Sequence, residues 1–215
     1  MYTRRVVGIT GIILGGGRSS RIGKDKSFLK IGSKALFEHV LDKLSCVCGE
    51  IIVVTNTPQA YHIGNFSRDF QIIQDEIPYQ GPLGGILAGL RSSQSFYNFV
   101  VACDMPFLNL GLMRFLEKET NGVDIIIPYS PKGLEPLHAI YSTNCIAPIQ
   151  ERLGQKDFRI VSFFDDVRVK YIHVEQVKRF DPQFLSFFNV NTFQDLELAR
   201  RICRKAKSRR FEGDR

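Results

Sequence analysis

No stretch of the 215-residue sequence approaches the roughly 18 consecutive apolar residues of a membrane-crossing helix. The apolar beginning, Val6 to Leu14, ends in Gly-Gly-Gly-Arg and not in a small-residue cleavage site. The expectation is therefore a cytoplasmic protein with no signal peptide and no membrane partner. Cysteine is scarce: five residues, an odd number, are scattered along the chain, unlike a secreted disulfide framework. Cys46 and Cys48 are too close together for the usual zinc or redox spacing, so free thiols, buried or partly buried, are expected. The four histidines (39, 62, 138 and 173) are dispersed and offer no ligand spacing such as HExxH. Repeats of fixed period and linkers rich in Gly, Ser or Pro are also missing.

The formal charge of +7 suggests a polyanionic partner such as nucleic acid. Its distribution argues otherwise. Residues 200–215 hold eight of the 29 basic side chains and two of the 22 acidic ones, so the last sixteen residues carry +6 of the total. The rest of the chain is nearly neutral, and no nucleic-acid partner is expected. A chain of this length buries about 70% of its unfolded surface, enough to fold without a metal or disulfide staple.

Short β-branched runs alternate with segments of helical period. Val6 to Leu14, Ile51 to Val54, Phe70 to Ile73, Phe99 to Ala102 and Asp124 to Pro128 read as strands. Ala35 to Leu44, Gly84 to Ser92 and Leu110 to Lys118 read as helices. Such alternation means βαβ units and a mostly parallel sheet covered on both faces, an α/β fold. Further on, Leu137 to Tyr141 and Val169 to Val174 read as strands, Ile146 to Leu153 and Phe158 to Phe164 as short helices. A last helix begins near Asn191 or Thr192. The expectation is one domain over residues 1–199, with 200–215 a basic helix end and tail.

Ligands of open α/β sheets bind beyond the carboxyl ends of the strands. After the first strand, the thirteen residues from Leu14 to Lys26 contain the run Gly15-Gly16-Gly17 and four cations, Arg18, Arg21, Lys24 and Lys26. Glycines let backbone N–H groups approach a ligand, and the cations suit a triphosphate. The Walker A pattern is missed twice, because five residues separate Gly17 from Gly23 and Asp25 follows Lys24. Ser20 stands where a dinucleotide fingerprint requires Gly. After the third strand come Asp75 and then Gly81-Pro82-Leu83-Gly84-Gly85; after the fourth comes Cys103-Asp104-Met105-Pro106. A carboxylate there could hold Mg²⁺ against phosphate oxygens, or simply form a turn.

Four segments together carry a resemblance. Gly16 to Lys26, Gly81-Pro82-Leu83-x-Gly85, Cys103-Asp104-Met105-Pro106 and Asn189-Val190-Asn191-Thr192-x-x-Asp195-Leu196 resemble, in order and spacing, the molybdenum cofactor guanylyltransferases. The match spans about residues 8 to 200. It implies a three-layer nucleotidyltransferase fold and transfer of GMP from GTP to the phosphate of molybdopterin, with Mg²⁺ as cofactor and pyrophosphate as co-product. Carried over by position, Leu14, Gly15 and Gly16 line the guanine and ribose, while Arg21 and Lys26 hold the phosphates. Asp75 contacts the nucleotide, Gly81, Pro82 and Leu83 approach the base, and Asp104 binds the metal. Molybdoenzymes or their chaperones are the implied protein partners.

The chain departs from the family in places. Gly15 replaces a usual Ala, Ile22 a common Met, and Phe193-Gln194 a usual Pro-Glu. Gly16 stands where cytidylyl relatives tend to have Ala, which favours GTP over CTP. Asn189 and Asn191 either frame the pterin phosphate or cap the last helix, and the sequence leaves both open. His138 is expected to pack or line a rim, and Asn56 to touch nucleotide or form the Asn-Thr-Pro turn. The alternative functions are a related transferase using CTP or a sugar-phosphate acceptor, and a nucleotide-binding protein without turnover.

Overall fold

The computed structural model describes residues 8–15, 26–62, 66, 68–74 and 81–212. The strands are β1 (Thr10–Gly15), β2 (Lys30–Ile31), β3 (Lys34–Ala35), β4 (Glu50–Thr55), β5 (Gln71–Gln74), β6 (Tyr97–Ala102), β7 (Ile125–Ser130), β8 (Gly133–Leu134), β9 (His138–Ser142) and β10 (Val169–Ile172). The helices are α1 (Leu36–Leu44), α2 (Pro58–His62), α3 (Gly81–Ser92), α4 (Leu110–Lys118), α5 (Ile146–Gly154), α6 (Val174–Lys178) and α7 (Phe193–Glu212).

Among the described residues the main sheet runs β10-β7-β9-β6-β1-β4-β5, with β8 added to β7. The pairs β6–β1, β1–β4, β4–β5 and β7–β10 are parallel. β9 lies antiparallel between β6 and β7, so those two run in the same direction and end at the same edge. Adjacent residues of each central strand face opposite layers. Ile13, Val53, Val101 and Ile126 pack with α1, α4 and α6, whereas Ile12, Ile52, Val100 and Ile127 pack with α3 and α5. These strands read as continuous apolar runs because both faces are covered. The result is the expected three-layer α/β architecture around a mostly parallel sheet.

Local chemistry fixes the helix ends. Asn109 accepts the Leu112 N–H at 3.0 Å and starts α4, while its amide nitrogen donates to the Phe180 carbonyl at 2.9 Å. Asp124 joins three segments, accepting from Asn144 at 2.8 Å and from Ser142 and the Arg168 backbone and guanidinium.

Several sequence expectations need correction. α3 starts at Gly81 and not at the expected Gly84, so Gly81-Pro82-Leu83 is the first turn of the helix. Proline fits a first turn, whose N–H groups lack partners in any case. The segment expected as a helix at 158–164 is a 3₁₀ helix over Ile160–Asp166. β10 ends at Ile172, because Gln176 accepts the His173 N–H at 3.1 Å and turns the chain into α6. The small β2–β3 hairpin also has no counterpart in the sequence reading. It packs beneath α7, where Ile31 and Leu36 meet Val190, Leu196 and Ala199. α7 passes residues 199 and 200 without a break, and Arg200 donates to the Lys30 carbonyl at 3.2 Å.

Candidate active site

The parallel strands β1, β4 and β6 end in register, Gly15 opposite Thr55 and Leu14 opposite Ala102. The ladder continues one step further: the Cys103 N–H donates to the Leu14 carbonyl at 3.1 Å, which sets Asp104 just beyond the sheet. The Asp104 carbonyl then accepts the Val190 N–H at 3.0 Å, bringing the Asn189–Asn191 segment to the same edge. From the other side, Lys26 Nζ donates to Asn191 Oδ1 at 3.0 Å. Three motifs that are far apart in sequence therefore meet.

The two asparagines have different roles. Thr192 caps α7, accepting the Asp195 N–H at 3.1 Å, and Asp195 Oδ2 accepts the N–H groups of Thr192 and Asn191 at 2.8 and 3.0 Å. Asn191 is thus relieved of capping, and its side chain points to Lys26. Asn189 Nδ2 donates to the Phe187 carbonyl at 3.1 Å and closes the preceding turn.

Electrostatics separate two described carboxylates of this edge, Asp104 and Asp195. Burial, with some repulsion from Asp195, raises the Asp104 carboxyl above its usual range even though the Lys26 ammonium favours ionisation. Burial would also raise Asp195. Hydrogen bonds from Thr192 and Asn191, aided by the Lys132 ammonium, bring it below the ordinary value instead.

A buried chain of side chains lies under Lys26 and was missed by sequence reasoning. Tyr61 Oη donates to Ser27 Oγ at 2.9 Å, and Ser27 Oγ to Cys103 Sγ at 3.2 Å. The Tyr61 hydroxyl fills the space beside Gly15, where a Cβ would stand 2.3 Å from it. Tyr61 carries no sequence signal of this role, since it belongs to a five-residue helix, α2.

The other expected residues are placed as follows. Leu14 is half-buried, and Gly85 lets α3 close on it, a Cβ there standing 3.2 Å from Leu14 Cδ2. Gly81 and Pro82 are exposed at the start of α3, Gly81 with φ +64°, and the Leu83 side chain belongs to the core. Asn56 is exposed beside the turn that Thr55 Oγ1 closes by accepting the Thr57 N–H. His138 is fully buried, edge-on to Phe99 and Phe187, and burial lowers it to about 4, so it packs as a neutral ring. Gly16, Arg21 and Asp75 lie outside the described residues. Of the cysteines, Cys48, Cys103 and Cys145 are buried and Cys46 is exposed.

Residues 11–168 match the MobA-like NTP transferase domain. The chain belongs to this family. MobA-like NTP transferases of similar sequence include the molybdenum cofactor guanylyltransferase of Syntrophotalea carbinolica, 35% identical over 194 residues that cover 89% of this chain and 90% of that protein. The molybdenum cofactor guanylyltransferase of Desulfosudis oleivorans is 34% identical, covering 89% of this chain and 94% of its own. Among solved structures, molybdopterin-guanine dinucleotide biosynthesis protein A from Archaeoglobus fulgidus superposes with a TM-score of 0.78 at 32% identity, over 92% of this chain and all of that one. A 4-diphosphocytidyl-2C-methyl-D-erythritol synthase from Anaerococcus prevotii, at 16% identity and a TM-score of 0.67, shares the fold. The protein is an enzyme, a nucleotidyltransferase. Among the described residues no helix is long and apolar enough to cross a membrane.

Proposed function

We propose that this nucleotidyltransferase is a cytoplasmic enzyme that transfers the guanylyl group of GTP to the phosphate of molybdopterin. The products are molybdopterin guanine dinucleotide and pyrophosphate. The observation that carries the reading is the junction of Lys26, Asp104 and Asn191 at the carboxyl edge of the sheet. It supports the reading because the cation proposed for the nucleotide meets the amide proposed for the acceptor, with a carboxylate alongside.

An oxygen of the molybdopterin phosphate attacks the α-phosphorus of GTP, and the bond from that phosphorus to the bridging oxygen breaks. The electron pair leaves with pyrophosphate. Such a transfer needs positioning and charge neutralisation more than covalent help from the protein. Lys26 neutralises charge as pyrophosphate departs, with Arg21 as its partner on the phosphates. Leu14, Gly15 and Gly16 receive the guanine and ribose, Asp75 contacts the nucleotide, and the start of α3, at Gly81, Pro82 and Leu83, approaches the base. Asn191 and Asn189 face the acceptor.

Asp104 suits a hard divalent ion. It is a carboxylate on which burial disfavours an uncompensated charge, and a cation would relieve that. Among the described residues no group of three or more His, Cys, Asp or Glu side chains could hold a metal; Mg²⁺ in general is bound by one or two carboxylates together with substrate phosphates and water. When bound by Asp104, Mg²⁺ supplies charge neutralisation to the triphosphate.

The test is incubation with GTP, Mg²⁺ and molybdopterin, read by mass spectrometry. Dinucleotide and pyrophosphate should appear only with all three present, and Asp104→Ala should abolish turnover. Turnover with CTP but not GTP would refute the guanine assignment.

A further inference from the structure

Strand register makes the β7–β8 connection a tight hairpin, Ser130 opposite Gly133, with only Pro131 and Lys132 between them. The Lys132 N–H donates to Ser130 Oγ at 3.0 Å, and Gly133, at φ +122°, completes the reversal. β7 runs in the same direction as β6, so this hairpin projects from the edge at which Asp104 sits. Lys132 is exposed at its tip and forms no ion pair among the described residues. Its ammonium is nevertheless within electrostatic reach of the Asp195 carboxylate, the group that anchors the Asn191 and Thr192 backbone. Two ammonium groups thus act on the Asn191 turn, Lys26 bonded to its side chain and Lys132 through the carboxylate that anchors its backbone.

The transfer reaction gives this second cation a task. A phosphate monoester dianion must approach an anionic triphosphate past two carboxylates, Asp104 and Asp195. Lys26 is committed to the nucleotide side. We propose that Lys132 is a binding residue of the acceptor subsite and contacts the phosphate of the incoming phosphomonoester. The assignment rests on the function proposed above.

The experiment compares the wild-type chain with Lys132→Gln and Lys132→Arg, measuring KM for each substrate and the Kd for molybdopterin. Loss of one charge-assisted contact should raise KM and Kd for molybdopterin about tenfold in Lys132→Gln, with Lys132→Arg recovering most of the loss. KM for GTP and the rise in Tm caused by GTP with Mg²⁺ should stay unchanged. An unchanged KM for molybdopterin, or equal increases in both KM values, overturns the assignment. If the wild type binds molybdopterin yet makes no dinucleotide, the transfer reading fails, and the Kd comparison decides the role of Lys132 by the same criterion. If the wild type does not bind molybdopterin, both fail.

Discussion

Replacing Gly15 with alanine, the residue usual at this place in the family, is expected to damage this chain because of Tyr61. The added Cβ would stand 2.3 Å from the Tyr61 hydroxyl and 3.1 Å from Cζ. The ring cannot swing aside easily. It is buried, lies edge-on to Phe37 with centroids 4.9 Å apart, and packs against Phe28 at 5.0 Å. Overpacking of this kind costs about 1–3 kcal/mol, and displacing the hydroxyl from Ser27 adds about 1 kcal/mol, for a total of roughly 2–4 kcal/mol. Tyr61→Phe alone should cost about 1 kcal/mol. In the double variant the worst contact disappears and only the 3.1 Å approach to Cζ remains, which a shift of a few tenths of an ångström relieves. The two changes should therefore be less harmful together than their sum, by about 1.5 kcal/mol, well beyond the roughly 0.5 kcal/mol scatter of independent sites. Urea denaturation of the four proteins at equal m-value measures the cycle. Additive losses would show that Tyr61 does not exclude alanine and would remove the reason given for Gly15.

Two further changes test other parts of the structure. His138 titrates near 4 when folded against an ordinary 6.5, so the folded state binds its proton less readily than the unfolded chain. Its stability contribution is complete above pH 6.5 and is lost as pH falls toward about 4. The loss is of order 3 kcal/mol, and His138→Leu should flatten the urea-midpoint profile across that window. An unchanged profile would contradict the neutral, buried ring. Phe193 is 63% exposed at the first position of α7, so Phe193→Pro gives up little packing and presets the helical φ. It should raise stability by about 0.4–1 kcal/mol, seen as a higher Tm, and a fall would mean that the Phe193 N–H or ring is engaged after all.

The layered fold was legible because the parallel strands are apolar on both sides and the helices carry their apolar residues on one face; α4 came out at its expected limits, Leu110 to Lys118. What escaped were elements held by single hydrogen bonds between distant residues. The turn at His173 depends on Gln176, and the seat of α7 on the β2–β3 hairpin depends on contacts such as Arg200 to Lys30. In the site, Lys26, Asp104 and Asn191 could be picked out as residue types at strand and helix ends. That Thr192 is the cap, leaving Asn191 to Lys26, could not, because either residue can cap a helix. Ser27 and Tyr61 escaped for a similar reason: a hydroxyl acquires a role here only through partners that the fold supplies.

The hydrogen bond from Lys26 to Asn191 closes a loop of 165 residues. Closing a loop of that length carries a large entropic cost, so the contact forms only on a sheet that is already assembled. During synthesis from the amino end, a nascent chain can complete the strands through β10 and still lack the Asn191 amide. On the role proposed for Asn191, competence therefore arrives late, when this residue and the first turns of α7 have emerged to dock on the hairpin. A fragment ending near residue 185 should fold its sheet yet remain inert.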